Sequence, residues 1–183
     1  MSRYVALLRG INVGGNNLIK MADLKACFER DGLEGVATYI QSGNVLFSST
    51  GSASEKLARR IEDLLAATFD CRASVVLRTR TQMQDIVSRA PDGFGSQPDK
   101  YRYDVIYLRP PLSAREAMKS VLTAPGVDEA YAGNGVVYFS RLTSKASQSR
   151  LSRLVSMPVY KSMTIRNWNT TTTLLRMLSG PEA

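Results

Sequence analysis

Two kinds of apolar spacing alternate along the first 80 residues of the chain. Short runs rich in Val, Leu, Ile and Tyr predict strands over residues 3–9, 36–40, 45–48 and 73–77. Apolar residues that recur every three or four positions predict helices over residues 21–30 and 57–68. The predicted order of elements in this half is βαββαβ.

The same order returns after residue 100. Strands are predicted over residues 103–109, 127–132, 136–140 and 162–165, and helices over 114–122, 145–155 and 168–178. A helix over 82–89 and a loop at 90–95 join the two halves. The halves also share letters: Val5, Leu8 and Arg9 recur as Val105, Leu108 and Arg109, and Gly43, Val45 and Phe47 recur as Gly135, Val137 and Phe139. The pattern suggests an internal repeat.

These observations predict an α+β fold. We interpret the chain as a tandem pair of ferredoxin-like βαββαβ units with antiparallel sheets, followed by a C-terminal helix. The predicted boundaries are 1–80 for the first unit, 81–100 for the junction, 101–166 for the second unit and 167–183 for the last helix. Two capping boxes, at residues 52–55 and 113–116, mark helix starts.

The stretch ALLRGINVGGNN, residues 6–17, runs from an apolar strand through an arginine into a turn rich in glycine and asparagine. In a βαββαβ unit, a right-handed helical crossover makes the first two strands parallel. The loop after the first strand and the turn after the second therefore lie at the same edge of the sheet. We expect residues 10–15 to lie beside the turn at 41–44.

Residues at this predicted edge have the chemistry to bind an oxyanion or a polar small molecule. Glycines let backbone amides approach a ligand, carboxamides donate and accept hydrogen bonds, and an arginine supplies charge. The candidate residues are Arg9, Gly10, Asn12, Gly14, Gly15, Gln41, Ser42, Gly43 and Asn44. Tight connections also favour Gly and Asn, so a purely structural corner stays open as the alternative. The glycine spacing fits neither a Walker loop nor a dinucleotide fingerprint.

A second polar corner is predicted where the last strand meets the last helix. Asn167 or Asn169 can cap the helix, and Arg166 stands beside the amides of its first turn, which attract anions. Arg166 and Asn167 would add to the anion site only if the two units fold toward each other. The alternative for this corner is a helix cap without a ligand.

The sequence contains no histidine. This excludes Ser-His-Asp and Cys-His catalysis and imidazole metal sites. An enzyme would need a carboxylate such as Asp104, a lysine such as Lys20, or a tyrosine, and no constellation of these is visible. We therefore favour a binding protein without metal or cofactor over a histidine-independent enzyme.

The charge balance is basic, with 24 Lys and Arg against 16 Asp and Glu. Much of the excess follows Ser140, where seven basic residues face one acid: Arg141, Lys145, Arg150, Arg153, Lys161, Arg166 and Arg176. Such a segment favours anionic partners, so non-specific nucleic-acid binding is an alternative function.

Other compositional features place the protein in the cytoplasm. No apolar run approaches the roughly 18 residues of a membrane span, and no signal peptide is visible, so no membrane partner is expected. Cys27 and Cys71 fit no metal or redox spacing and are expected to stay reduced.

Four segments together resemble one bacterial family, the domain-of-unknown-function family 1697. They read YVALLRGINVGGNN, MADL, TYIQSGNVLFSS and TIRNWNTTTTLL. The resemblance implies a two-part α/β protein whose signature positions are the glycine loop, the 41–44 turn and the corner at 166–170. The family commonly shows Asn-Pro-Phe where this chain has Ala90-Pro91-Asp92. The resemblance implies no activity.

Overall fold

The computed structural model describes residues 1–12, 15, 18–51 and 55–180. Its strands are β1 (Ser2–Arg9), β2 (Glu34–Tyr39), β3 (Asn44–Ser49), β4 (Ser74–Thr79), β5 (Tyr101–Leu108), β6 (Asp128–Ala132), β7 (Val136–Leu142) and β8 (Met163–Asn167). Its α-helices are α1 (Met21–Arg30), α2 (Glu55–Phe69), α3 (Arg80–Ser88), α4 (Ala114–Ala117), α5 (Leu151–Val155) and α6 (Trp168–Ser179). Short 3-10 helices span Thr143–Gln148 and Pro158–Ser162. The first predicted capping box falls on residues 52–54, outside the described ranges.

The strands form two four-stranded antiparallel sheets, as predicted. The first has the order β2-β3-β1-β4, with β1 between β3 and β4. Tyr4, Ala6 and Leu8 alternate along β1 and pack with buried residues of α1 and α2, because successive side chains of a strand point to opposite faces. Tyr4 stacks on Phe47 of β3, with ring centroids 5.6 Å apart. This face of the sheet is the core of the first half.

The second sheet has the equivalent order, β6-β7-β5-β8. Ile106 and Leu108 of β5 pack with Val137 and Phe139 of β7 and with buried residues of α4 and α5. The predicted capping box before α4 is confirmed, since the Ser113 hydroxyl accepts from the Glu116 amide and the Glu116 carboxylate accepts from the Ser113 amide.

The two sheets also share their register. Leu8 donates its backbone amide to the Gly43 carbonyl at 2.8 Å, and Leu108 donates to the Gly135 carbonyl at 3.0 Å. Val5 lies opposite Arg78 on β4, and Val105 lies opposite Arg166 on β8. The residues that recur in the two halves of the sequence therefore occupy equivalent positions in the two sheets.

Two predicted helices are shorter in the structure. The helix expected over 145–155 is divided into the 3-10 helix and α5, because the Arg150 amide donates to the Asp128 carboxylate at 2.8 Å and Ser149 is extended. The helix expected over 114–122 ends at Ala117, where bonds such as Ser120 to Ala117 replace the α-helical spacing. In the segment 145–155, the buried Asp128 carboxylate of another segment thus overrides the helical pattern.

Contacts between residues divide the chain into two compact units. The first comprises Met1–Met83 and the segment from Thr173 onward, and the second comprises Gln84–Thr172. The end of α6 is held in the first unit, where Arg3 donates to the Gly180 carbonyl at 2.8 Å. None of the helices in the described part of the chain is long and apolar enough to cross a membrane.

Candidate functional site

The loop after β1 and the turn between β2 and β3 meet in the first unit. The Leu8 amide reaches the Gly43 carbonyl, and the Asn12 side chain donates to the Gln41 carbonyl at 3.0 Å. The prediction that these two turns are neighbours is confirmed. We call Arg9, Gly10, Asn12 and Gly15, together with the turn from Gln41 to Asn44, the β1 corner.

Two carboxamides of the β1 corner hold its backbone. Asn12 accepts from the Ile19 amide at 2.7 Å and donates to the Ile19 carbonyl at 3.1 Å, which closes the loop onto the start of α1. The buried Asn44 donates to the Tyr39 carbonyl at 2.9 Å and to the Ser42 hydroxyl at 3.1 Å, which closes the turn. The amide groups of Asn12 and Asn44 therefore brace the corner in this structure.

Other predicted residues of the β1 corner reach its surface. Arg9 is half-buried at the end of β1, and Gly15, Gln41 and Ser42 are exposed. Gly14 lies outside the described residues. The corner thus combines a half-buried arginine at the end of β1 with two exposed polar side chains on the turn.

Sequence reasoning missed Arg72 near this edge and named Lys20 only as a catalytic candidate. Exposed Arg72 precedes β4, and its carbonyl lies against Gly10. Lys20, also exposed, follows the Ile19 that Asn12 holds. Knowing that β4 pairs with β1 would have revealed Arg72, because antiparallel neighbours bring the start of one strand beside the end of the other.

Arg166 and Asn167 belong to the second unit. Asn167 accepts from the Thr170 amide at 2.7 Å, so it caps α6 as its position in the sequence predicts. Arg166 is buried, and burial lowers its pKa to about 10, while Tyr107 and Tyr160 act in the opposite direction. Its guanidinium donates to the Ile165 carbonyl at 2.9 Å.

The basic segment after Ser140 is not uniformly exposed. Arg141 forms an ion pair with the buried Asp104 at 3.2 Å, and Arg166 lies in the interior. Burial raises the pKa of Asp104, although Arg141 and Arg102 lower it. Two of the seven basic residues of this segment are therefore engaged inside the second unit. Asp104, named above as a catalytic candidate, is a partner of Arg141.

Sequence reasoning also missed a pocket of about 220 Å³ in the second unit. It lies between the loop that precedes β5 and the strands β5, β6 and β7. Its walls include four aromatic rings and two carboxylates, which belong to Phe94, Tyr101, Tyr103, Tyr131, Asp92 and Glu129. The alternation of Tyr101 and Tyr103, which places both rings on one face of β5, was the available signal.

Phe94 fixes the loop over this face of the sheet. Its ring meets the rings of Tyr103, Tyr138 and Trp168 edge-on, at centroid distances of 4.9, 5.4 and 5.1 Å. Edge-to-face pairs contribute about 0.5–1.5 kcal/mol each beyond burial. The loop therefore forms a firm wall and covers part of the sheet face that RNA-binding domains of similar topology leave open.

Removing the Tyr138 hydroxyl tests this packing through its pH dependence. The buried hydroxyl donates to the Ile86 carbonyl at 2.7 Å, and burial raises the pKa of Tyr138 to about 12, with Asp85 adding to the rise and Arg89 opposing it. We expect Tyr138→Phe to lower the free energy of unfolding by about 1–2 kcal/mol near neutral pH, because the Ile86 carbonyl loses its donor.

The sign of the pH dependence follows from the raised pKa. The folded chain holds the phenol proton more tightly, so this stabilisation is present below the unfolded value of about 10 and is lost as the pH rises toward about 12. Urea unfolding of wild type and Tyr138→Phe, at about one pH unit below and about one unit above pH 10, measures this loss of stabilisation. If the difference in the free energy of unfolding between wild type and Tyr138→Phe does not become smaller at the higher pH, the expectation is contradicted.

Comparison with known proteins shows where the chain belongs. A family described as Protein of unknown function (DUF1697) matches residues 1–138 of the 183. The chain belongs to this family. The resemblance to DUF1697 is thereby confirmed, and the fourth of its four segments, residues 164–175, lies outside the matched range.

A solved structure is also similar to this DUF1697 chain. The conserved bacterial protein SP0830 from Streptococcus pneumoniae is 28% identical, with a TM-score of 0.84. The similarity covers 97% of this chain and 99% of that one, so it extends over both antiparallel sheets and the C-terminal helix. A search of the curated proteins found no match.

Proposed function

We propose that the protein binds an anionic or phosphorylated small molecule at the β1 corner. The observation that carries the proposal is the meeting of the two turns beside the half-buried Arg9, through the bond from Asn12 to the Gln41 carbonyl. A guanidinium at the base of a polar loop edge binds phosphate or carboxylate with two parallel hydrogen bonds.

The roles within the corner follow from its contacts. Arg9 supplies the charge, Gln41 and Ser42 supply side-chain hydrogen bonds from the turn, and Gly10 and Gly15 supply backbone amides. Asn12, Gly43 and Asn44 hold the corner in shape, as their internal bonds and close packing support. Arg72 and Lys20 on the adjoining segments favour an anion over a neutral ligand.

Removing the Arg9 charge tests this function. Titration calorimetry with inorganic phosphate and pyrophosphate measures the affinity of wild type and Arg9→Ala. We expect the variant to bind about tenfold or more weakly, because a hydrogen bond to a charged group contributes about 1.5–3 kcal/mol. Gln41→Ala, at an exposed position, is expected to weaken binding by about threefold.

Arg59→Ala is the matched control, since Arg59 is exposed on α2 and pairs with Glu55 one turn away. It removes the same charge from a helix that belongs to neither turn, so we expect the affinity to stay unchanged. Thermal unfolding of each variant separates lost binding from lost fold. Equal affinity of wild type and Arg9→Ala, or no heat of binding at about 10 mM of either anion, would overturn the proposal.

We also infer that the two units are ferredoxin-like and descend from one duplicated βαββαβ unit. The equivalent sheet orders and the matching bonds from Leu8 to Gly43 and from Leu108 to Gly135 support this. In this arrangement the β1 corner and the Gly135 turn are counterparts. Among the described residues, the bonds of Asn12 that close the loop belong to the first unit, which argues for a function specific to that unit.

A further inference from the structure

We propose that the aromatic pocket of the second unit binds an alkylammonium group. The pocket is separate from the β1 corner, and all of its lining residues belong to the second unit. Its volume of about 220 Å³ lies below the roughly 300–1,000 Å³ of pockets that enclose drug-sized ligands. The size suits a small head group rather than a whole cofactor.

The charge of the walls selects the sign of the ligand. Asp92 and Glu129 line the pocket, and within the described part of the chain no Lys or Arg is among the lining residues. This contrasts with the formal net charge of +8 for the whole protein. The lining itself is acidic, with the Lys100 ammonium beside it over the Tyr101 ring, and two carboxylates in the wall favour a cation and disfavour phosphate.

The aromatic rings select the kind of cation. Tyr101 and Tyr103 line the pocket from β5 and Tyr131 lines it from β6, on the other side of β7. A cation over an aromatic face is attracted by the ring quadrupole. The Lys100 ammonium already lies over the Tyr101 ring, at 5.2 Å from its centroid. An alkylammonium group pairs with both the rings and the carboxylates, whereas a strongly hydrated metal ion gains little from the rings.

The walls are fixed before any ligand arrives. Phe94 packs on the Tyr103 ring, and the Tyr103 hydroxyl accepts from the Gln97 amide at 3.3 Å. The Tyr131 hydroxyl donates to the Glu129 carboxylate at 2.9 Å, which holds ring and charge together. A preorganised site loses less side-chain entropy on binding, so even a small head group gains measurable affinity.

The experiment compares two probes of the same shape. Choline carries a quaternary ammonium, and 3,3-dimethylbutan-1-ol replaces its nitrogen by carbon and is neutral. Titration of the full-length protein, followed by NMR of the aromatic resonances, gives both affinities. We expect choline to bind at least about tenfold more tightly than the neutral alcohol. Equal affinities, or no shift of tyrosine resonances with either probe, would overturn the proposal.

Substitutions at exposed positions of the wall locate the binding. Tyr131→Leu removes the ring and is expected to weaken choline binding by about fivefold. Tyr131→Phe keeps the ring and is expected to retain most of the choline affinity. Glu129→Gln is expected to weaken binding by about fivefold, with a smaller effect at high salt. Tyr39→Leu changes the counterpart of Tyr131 in the first unit and leaves the choline affinity unchanged. If Tyr131→Phe loses as much affinity as Tyr131→Leu, the ring is not the binding surface and the proposal fails.

Discussion

We expect Gly95→Ala to lower the free energy of unfolding by about 3–4 kcal/mol. Gly95 has a φ of +85°, and a Cβ atom there would overlap the Nε1 and Cδ1 atoms of the Trp168 indole. Left-handed backbone costs an alanine about 1–2 kcal/mol, and forcing an extra carbon into a packed site costs about 1–3 kcal/mol more. The indole cannot simply move aside, because it packs edge-on against Phe94.

Gly93→Ala separates the two costs. Gly93 has a comparable φ of +76°, but the nearest atom to an added Cβ is the Ser96 hydroxyl at 3.7 Å, an ordinary contact. We expect the free energy of unfolding of this variant to fall only by the cost of the left-handed backbone, about 1–2 kcal/mol. Trp168 is the single tryptophan of the chain, so its fluorescence during urea unfolding reports on this packing directly. Equal losses for the two variants would mean that the indole does not press on Gly95.

The second large effect is expected for Gly43→Ala in the β1 corner, at about 3–4 kcal/mol. Gly43 has a φ of +82°, and an added Cβ would lie 2.7 Å from Cδ1 of Ile11 and 2.9 Å from Cβ of Leu8. Both side chains are buried in the core of the first unit. The turn would have to lift away from β1, and its bond to the Leu8 amide would weaken.

Gly32→Ala is the matched control for the backbone term. Gly32 has a φ of +81°, and nothing lies within 4 Å of an added Cβ, so a loss of about 1–2 kcal/mol is expected. A double-mutant cycle with Ile11→Val, which removes Cδ1, isolates the clash. Ile11→Val is expected to cost less in the Gly43→Ala protein than in wild type. Additive losses would show that Ile11 does not oppose the alanine.

The regular elements were predictable because their signals are local. The strands of the described ranges follow from short apolar runs, and the cap of α4 follows from the spacing of Ser113 and Glu116. The helix predicted over 145–155 is divided in the structure because the competing hydrogen-bond acceptor is distant in sequence. Asp128 accepts the Arg150 amide across more than twenty residues, and the periodicity of the helix contains no sign of that bond.

The position of the candidate site in the fold was predictable, but the orientation of its side chains was not. The right-handed crossover rule was enough to bring the glycine loop to the 41–44 turn, since it depends only on the order of the elements. Which carboxamides face outward was not predictable, because Asn12 and Asn44 bond to backbone groups that only the folded loop brings near. Arg72 lies beside Gly10 through the pairing of β4 with β1.

The sequence alone was sufficient for the element order, the membership of DUF1697 and the Asn167 cap, because these depend on residue patterns along short stretches of the chain. The tertiary structure decided the burial of Arg166, the pairing of Asp104 with Arg141 and the pocket beneath Phe94. Each of these needs strands or loops that are far apart in sequence to meet. Such a contact stabilises the protein only after folding has excluded water from it and fixed the positions of its partners.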